Sequence, residues 1–490
     1  MDKPFFVLSD SRKREGVVFV FLLILLSIDS AANVTVGFSM PIFLSTVVLA
    51  AGLAFLYPRA GLAAAISVTI LFERFFTLVS MSIGEATYKL YPLDLILVAT
   101  FVSSVLLWIR DGGRRLRLRF TDLLLLMFFI IVTGIFIGGT FGLGRDIGLA
   151  TAFSTWKNYV FYGMTYFAVA ASVRTKEDLM TVGRMFLGTV AIAVSFLFVG
   201  LVRGGGLWTE YTPLSTPGTR FLAFPHAFSY SLAFLTVLLY LPFRAEGKTW
   251  RSEKYRYFAL VVLLFAGILG SLMRHLWIGI AATLIAAVVS APVRIGRPLG
   301  RYFLAVAFPV VTIAILSVAL FASLPENVVG DPVGDASAIV RERVLSIGSG
   351  TDESLAWREA VWKSALSRFS EHPFRGIGFG ASVPVELGEY RQYVEVRNMH
   401  NSWLALLIQT GIFGTVAFVA FLVSLVRGSF QSGSGSAFLR GSRTVLTGLL
   451  LFQGIVFFSQ PYLETNLLGI FFWVTLGLMR ALSDMRNEVL

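Results

Sequence analysis

Apolar residues in this chain come in runs of about 15–23, each closed by charged residues, Gly or Pro. A bilayer core of ~30 Å is crossed by about 20 helical residues, so runs of this length predict membrane-spanning helices. They fall at 17–33, 40–57, 61–81, 93–109, 123–141, 160–173, 182–202, 227–243, 258–272, 276–291, 303–324, 403–426, 445–460 and 466–480. The long run at 258–291 is divided at Arg274, because a charge in mid-span is costly. The pattern predicts an all-α polytopic membrane protein of about 12–14 helices. Eleven spans lie in residues 1–324 and three in 403–490, separated by one large polar segment at 325–402.

Lys and Arg give these spans a direction. With the amino terminus inside, 26 of them fall in segments assigned to the cytoplasmic side and six (Lys89, Arg145, Lys157, Arg203, Arg220 and Arg274) in short outer loops. The positive-inside rule therefore puts both termini in the cytoplasm and the 325–402 loop outside. The net charge of +12 reads as this topology signal, and no nucleic-acid partner is needed to explain it. Val17–Ile28 followed by Ser30-Ala31-Ala32 has the form of a signal peptide, but removing it would invert the charge pattern, so it reads as an uncleaved first span. Hydrophobic residues make up 56% of the chain and charged ones 14%, against about 25% charged in soluble proteins. With no cysteine, disulfides, thiolate nucleophiles and cysteine-held metals are excluded.

Candidate chemistry gathers in the outer segments. Thr351-Asp352-Glu353 offers a helix start, Leu355, Trp362, Leu366 and Phe369 recur at helical spacing, and Pro373 and Gly376 end the helix. Its apolar stripe reads as packing on the membrane domain rather than as a cofactor box, with Arg358 on the same face. The run Pro373-Phe374-Arg375-Gly376-Ile377-Gly378-Phe379-Gly380 permits tight turning and close backbone approach, but lacks the ending of a phosphate-binding P-loop. The chain has no Asp-X-Asp pair and no His-Glu-X-X-His, so nothing reads as nucleotide use, a metal site or a cofactor. His400 stands where the loop enters the next span and is either a base for a hydroxyl or a helix cap. Arg220 and Arg274 at membrane boundaries either snorkel to headgroups or converge as a phosphate clamp, which Lys157 could join. Glu73-Arg74 within the third span reads as structural or as lining a lateral opening.

Several of these segments together resemble the O-antigen ligase and polymerase superfamily. They are Arg358 to Trp362, the glycine run to Gly380, His400-Asn401-Ser402-Trp403-Leu404, Gln409-Thr-Gly411-Ile-Phe-Gly414, Arg220-Phe-Leu-Ala-Phe-Pro225-His226 and Ser271-Leu-Met-Arg274. They cover about residues 205–425. The resemblance implies a membrane glycosyltransferase of the C-type architecture at the outer face of the bacterial inner membrane. It would use an undecaprenyl-diphosphate-linked glycan with inversion and without metal, and a glycan or lipid as acceptor. A chain-length regulator or a flippase would be its neighbours. Carried over by position, Arg220 and Arg274, with Lys157, hold the diphosphate and His400 is the base or acceptor-positioning residue; Arg358, Asn401, Gly378 and Gly380 are further contacts. His275 departs from the small or polar residue expected beside Arg274, and Ala227 from the asparagine expected after Pro-His. Ligase and polymerase share this chemistry, and the eight basic residues of the long loop would serve either; the lean is to a polymerase. A secondary transporter is the alternative from another class, disfavoured by the absence of an internal repeat.

Overall fold

The computed structural model describes residues 10–35, 39–72, 79–83, 86–110, 117–141, 149–203, 224–244, 250–271, 273–290, 300, 301, 304, 353–387, 390–430, 436–464 and 468–487. Expectations for Arg220, Glu73-Arg74, the start at Thr351-Asp352 and nearly all of the 303–324 span lie outside them. Helices follow the apolar runs closely: α1 (Asp10–Thr35), α2 (Met40–Leu56), α3 (Pro58–Phe72), α4 (Pro92–Arg110) and α5 (Phe120–Phe141). Next come α6 (Leu149–Trp156), α7 (Thr165–Ser172), α8 (Lys176–Arg203), α9 (Phe224–Arg244), α10 (Trp250–Gly270) and α11 (Arg274–Ser290). In the polar segment lies α12 (Glu353–Ser370), followed by α13 (Ser402–Phe430), α14 (Ala437–Val456) and α15 (Gly469–Asn487).

Three departures have physical reasons. The span expected at 61–81 ends at Phe72, and a hairpin of β1 (Val79–Ile83) and β2 (Ala86–Leu90) follows. A second hairpin, β3 (Ser382–Leu387) and β4 (Tyr390–Glu395), lies in the polar segment before α13. Strands of five or six residues carry too little pattern to stand out beside long apolar runs. Third, the short run at 160–173 is the far half of a longer rod. α6 passes through a π turn at Lys157–Phe161 and a 3-10 turn at Tyr162–Met164 into α7. The polar pair Lys157-Asn158 interrupts the apolar pattern yet is buried in the bundle.

The outside of the bundle is apolar. Val48, Ile130 and Val289 expose 68%, 72% and 79% of their surface, on α2, α5 and α11. Large apolar groups pointing outward from several helices are the surface of a protein solvated by lipid. Among the described residues, four helices are long and apolar enough to cross a membrane: Leu93–Arg110, Phe120–Gly139, His226–Phe243 and Ser402–Phe430. Inside, one core joins the helices, and a second, smaller core joins the polar segment to α13 around Val361, Ile377, Val383, Val396 and Ile408. The buried side of α12 is Val361 and Ala365, with Trp362 and Phe369 of the expected stripe packed against the same core, whereas Leu366 is exposed.

Ion pairs tie together helix ends that the alternating span order assigns to one side. Arg59 at the start of α3 pairs with Glu15 of α1 at 2.6 Å and with Asp178 of α8. Arg480 in α15 holds Asp122 of α5 in a two-pronged grip, Nε to Oδ1 at 3.0 Å and Nη2 to Oδ2 at 3.0 Å. Tyr166 donates to the same carboxylate at 2.7 Å. Both charges are almost wholly buried, so losing one partner costs ~3–5 kcal/mol while replacing both with apolar groups is far milder. Asp122→Ala should therefore lower the thermal midpoint in detergent sharply, and Asp122→Leu combined with Arg480→Met should recover most of the loss. Equal losses in the two variants would show that the pairing carries no weight.

Candidate active site

The polar segment before α13 is held on the bundle by backbone hydrogen bonds as well as by side-chain packing. α13 is broken at Gly411, whose φ of 68° and ψ of −173° leave the helical region. Such a break frees carbonyls before it and N–H groups after it, and in a membrane protein these need partners. The glycine run supplies them. Ile377 and Gly378 N–H donate to the carbonyls of Ile408 at 2.8 Å and Gln409 at 3.3 Å. Ile412 and Phe413 N–H donate to those of Pro373 at 2.9 Å and Phe374 at 3.3 Å. A Cβ on Gly376 would lie 2.5 Å from the Ile408 carbonyl oxygen, and one on Gly411 would strike Phe374, so neither position admits a side chain. Gly378 and Gly380 are also left-handed, at φ 86° and 75°. The close approach that alternate glycines permit is made here to α13. Phe379, between them, is buried with its ring 5.9 Å from that of Tyr159.

This docking delivers His400 to the top of α13. Among the described residues it is the sole non-glycine with positive φ, at 55°. A side chain held in that region stores ~1–2 kcal/mol of strain, and such outliers gather at functional sites. Nδ1 lies 3.1 Å from Oε1 of Gln460, and the ring meets Trp357 of α12 edge to face at 5.5 Å. Trp362 of the same helix donates its indole N–H to the Met399 carbonyl at 2.8 Å. Burial holds the imidazole pKa below its ordinary value; the Gln460 hydrogen bond opposes this and the nearby Arg358 charge adds to it. His400 is therefore neutral at pH 7. With the Gln460 oxygen on Nδ1, that nitrogen carries the proton and Nε2 keeps a lone pair for a base. Asn401 caps α13, its Oδ1 accepting from Leu404 N–H at 3.0 Å.

Sequence reasoning missed the turn at 457–464 that backs this histidine. Besides Gln460 it carries Glu464, a buried carboxyl. Its Oε2 lies 2.6 Å from the Ser402 hydroxyl and its Oε1 3.0 Å from the Tyr159 hydroxyl. Burial pushes its pKa up to about 7 against the hydrogen bonds from Ser402, its own backbone N–H and Tyr159. Tyr462 of the same turn bonds His275 Nε2 at 2.8 Å, which draws the first turn of α11, and with it Arg274, to the turn that holds His400. His275 thus has a structural use where a small residue was expected. Lys157 sits elsewhere: its ammonium is buried, 2.9 Å from Asp94 Oδ2, between the rings of Tyr91 and Tyr162. Its charge is matched by Asp94. The signal for Glu464 was a lone acid in a short Gln-Pro-Tyr-Leu-Glu turn between two apolar runs.

An O-antigen ligase family model matches residues 259–419, from α10 through Arg274, α12, the glycine run and His400 into α13. This stretch of the chain is thus similar to the O-antigen ligase family. An O-antigen ligase of Pseudomonas aeruginosa is 27% identical over 134 residues, which is 27% of this chain and 32% of that protein. The match spans about a third of the relative's length. Within the matched residues lie Arg274, Arg358, Gly378, Gly380, His400 and Asn401, whereas Lys157, Arg220 and Glu464 lie outside them.

Because residue 400 is left-handed, His400→Gly should be about 1 kcal/mol more stable than His400→Ala; the reverse order of thermal midpoints would mean that the strain is absent. Glu464 favours the fold below its unfolded pKa and loses that contribution as pH rises through about 7. The thermal midpoint should fall as pH rises from about 5 to about 8, and Glu464→Gln should remove that part of the fall. Superimposable wild-type and variant curves would contradict it.

Proposed function

We propose that the chain is a membrane glycosyltransferase that moves a glycan from a polyprenyl-diphosphate donor to a hydroxyl acceptor at the outer face of the bacterial inner membrane. The observation that carries this reading is His400: neutral, strained into position, its Nδ1 occupied by Gln460 and its Nε2 available, within the residues that match the O-antigen ligase family. Nε2 takes the proton of the acceptor hydroxyl as its oxygen attacks the anomeric carbon. The bond from that carbon to the diphosphate oxygen breaks on the opposite side, so the configuration inverts. Negative charge grows on the departing diphosphate, and guanidinium groups stabilise it. Arg274 serves from the start of α11, with Arg220 as its partner from the segment before α9. Arg358 lies near enough to His400 for its charge to act on the imidazole, which supports a role for it toward the same diphosphate or a charged acceptor. Lys157, neutralised by Asp94, is assigned to the fold and not to the donor. The lipid diphosphate supplies the activation, so the step runs without metal.

Ligase and polymerase differ only in the acceptor. In membranes matched for expression, His400→Ala should leave the protein inserted and folded and abolish transfer. Arg274→Lys should retain part of the activity, since a point charge cannot reproduce a bidentate fork. Full activity in His400→Ala would sink the assignment of the base; full activity in Arg274→Lys would show that this arginine only snorkels.

A further inference from the structure

The hydroxyl of Ser402 has one proton and two acceptors. Glu464 Oε2 lies 2.6 Å away and the backbone carbonyl of Gln460 3.1 Å, while the hydroxyl itself accepts from Leu463 N–H at 3.1 Å. The hydroxyl of Tyr159 is placed likewise, 3.0 Å from Glu464 Oε1 and 3.3 Å from Gln409 Oε1. An ionised carboxylate can only accept, so it draws both hydroxyl protons to itself. A protonated carboxyl donates once. At 2.6 Å its donor faces Ser402, whose second lone pair is open, and Ser402 then turns its own proton to the Gln460 carbonyl. Both arrangements keep the carboxyl satisfied, which is what a buried network must do to exist in two states. They differ at Gln460, the residue that holds Nδ1 of His400.

We propose that Glu464 is a proton-linked positioning residue: its protonation moves the Ser402 hydrogen bond onto the Gln460 backbone and so fixes the turn that orients His400. The groups facing this carboxyl are few. From the π turn come Tyr159 and Asn158, whose amide donates to the Glu464 carbonyl; from α13 come Ser402 and Gln409; from α15 comes Trp473, bonded to the Asn158 carbonyl. Its own turn adds Tyr462, tied to His275, and the Lys157–Asp94 pair stands next to Asn158 in the chain. No full charge of opposite sign bonds the carboxyl among the described residues, so burial governs it, and it titrates near neutrality. The acid form holds His400 best, so the rate falls as the carboxyl ionises.

The inference rests on His400 acting as the base, and two readouts separate the claims. Imidazole spectra of the full-length, histidine-labelled protein in micelles, with His400 identified by its loss in His400→Asn, should move through two pH steps. One is its own and one lies near neutrality. The second should vanish in Glu464→Gln, whose amide mimics the acid form, and in Ser402→Ala, which keeps the carboxyl but removes the relay. A wild type with a single step, or a second step that persists in Glu464→Gln, overturns the proposal. In the transfer assay, wild-type rate should drop about tenfold per pH unit above that step, while Glu464→Gln holds its rate; an equal drop in the variant overturns it as well. Since the spectra need no substrate, a chain with the second step but no transfer would sink the glycosyltransferase reading while supporting the proton-linked contact.

Discussion

The structure depends on one backbone contact: the glycine run lies in the break of α13 at a separation that leaves no room for a Cβ on Gly376 or Gly411. Each half is incomplete alone. A helix broken at membrane depth has orphaned carbonyls and amides, and a run of alternate glycines has no side chains to pack. Joined by four N–H to carbonyl bonds, they make a rigid mount, and α12 and the second hairpin close over it through a small core of their own. His400 stands at the edge of this mount with its backbone forced left-handed.

Buried polar groups divide into two kinds. Away from the histidine, Arg480 with Asp122 and Arg59 with Glu15 and Asp178 are opposite charges held together, a static arrangement that fixes helix ends. Around the histidine, among the described residues, the Ser402 and Tyr159 hydroxyls and the Glu464 carboxyl each have more than one way to place a proton, beside the amides of Gln409 and Gln460 and the charge of Arg358. The first kind secures the bundle. The second can respond to protons, as the proposed proton transfer from an acceptor hydroxyl would need.

Much of this was legible from the chain itself. Apolar runs located the helices because lipid demands about 20 apolar residues in succession. His400, Arg274 and the glycine run were visible as a group because their motif is compact in sequence and resembles a known family. Partners remote in sequence were not visible. Asp122 and Arg480 are 358 residues apart and find each other only through packing. The buried pairing of Lys157 was hidden because its partner Asp94 belongs to another helix. Glu464 escaped notice because a single acid in a short turn is ordinary until Ser402 and Tyr159 close over it. The π turn at Lys157–Phe161 has no sequence signature, and it hid the true length of its helix.

The glycan profile of a deletion strain tests the central claim most directly, because it asks for both chain length and what each glycan is attached to. Loss of the chain must strand glycan on the polyprenyl diphosphate, as finished chains for a ligase or as single repeats for a polymerase. An unchanged profile in every glycan fraction would contradict the account and return the arginines and the histidine to transport or to the fold.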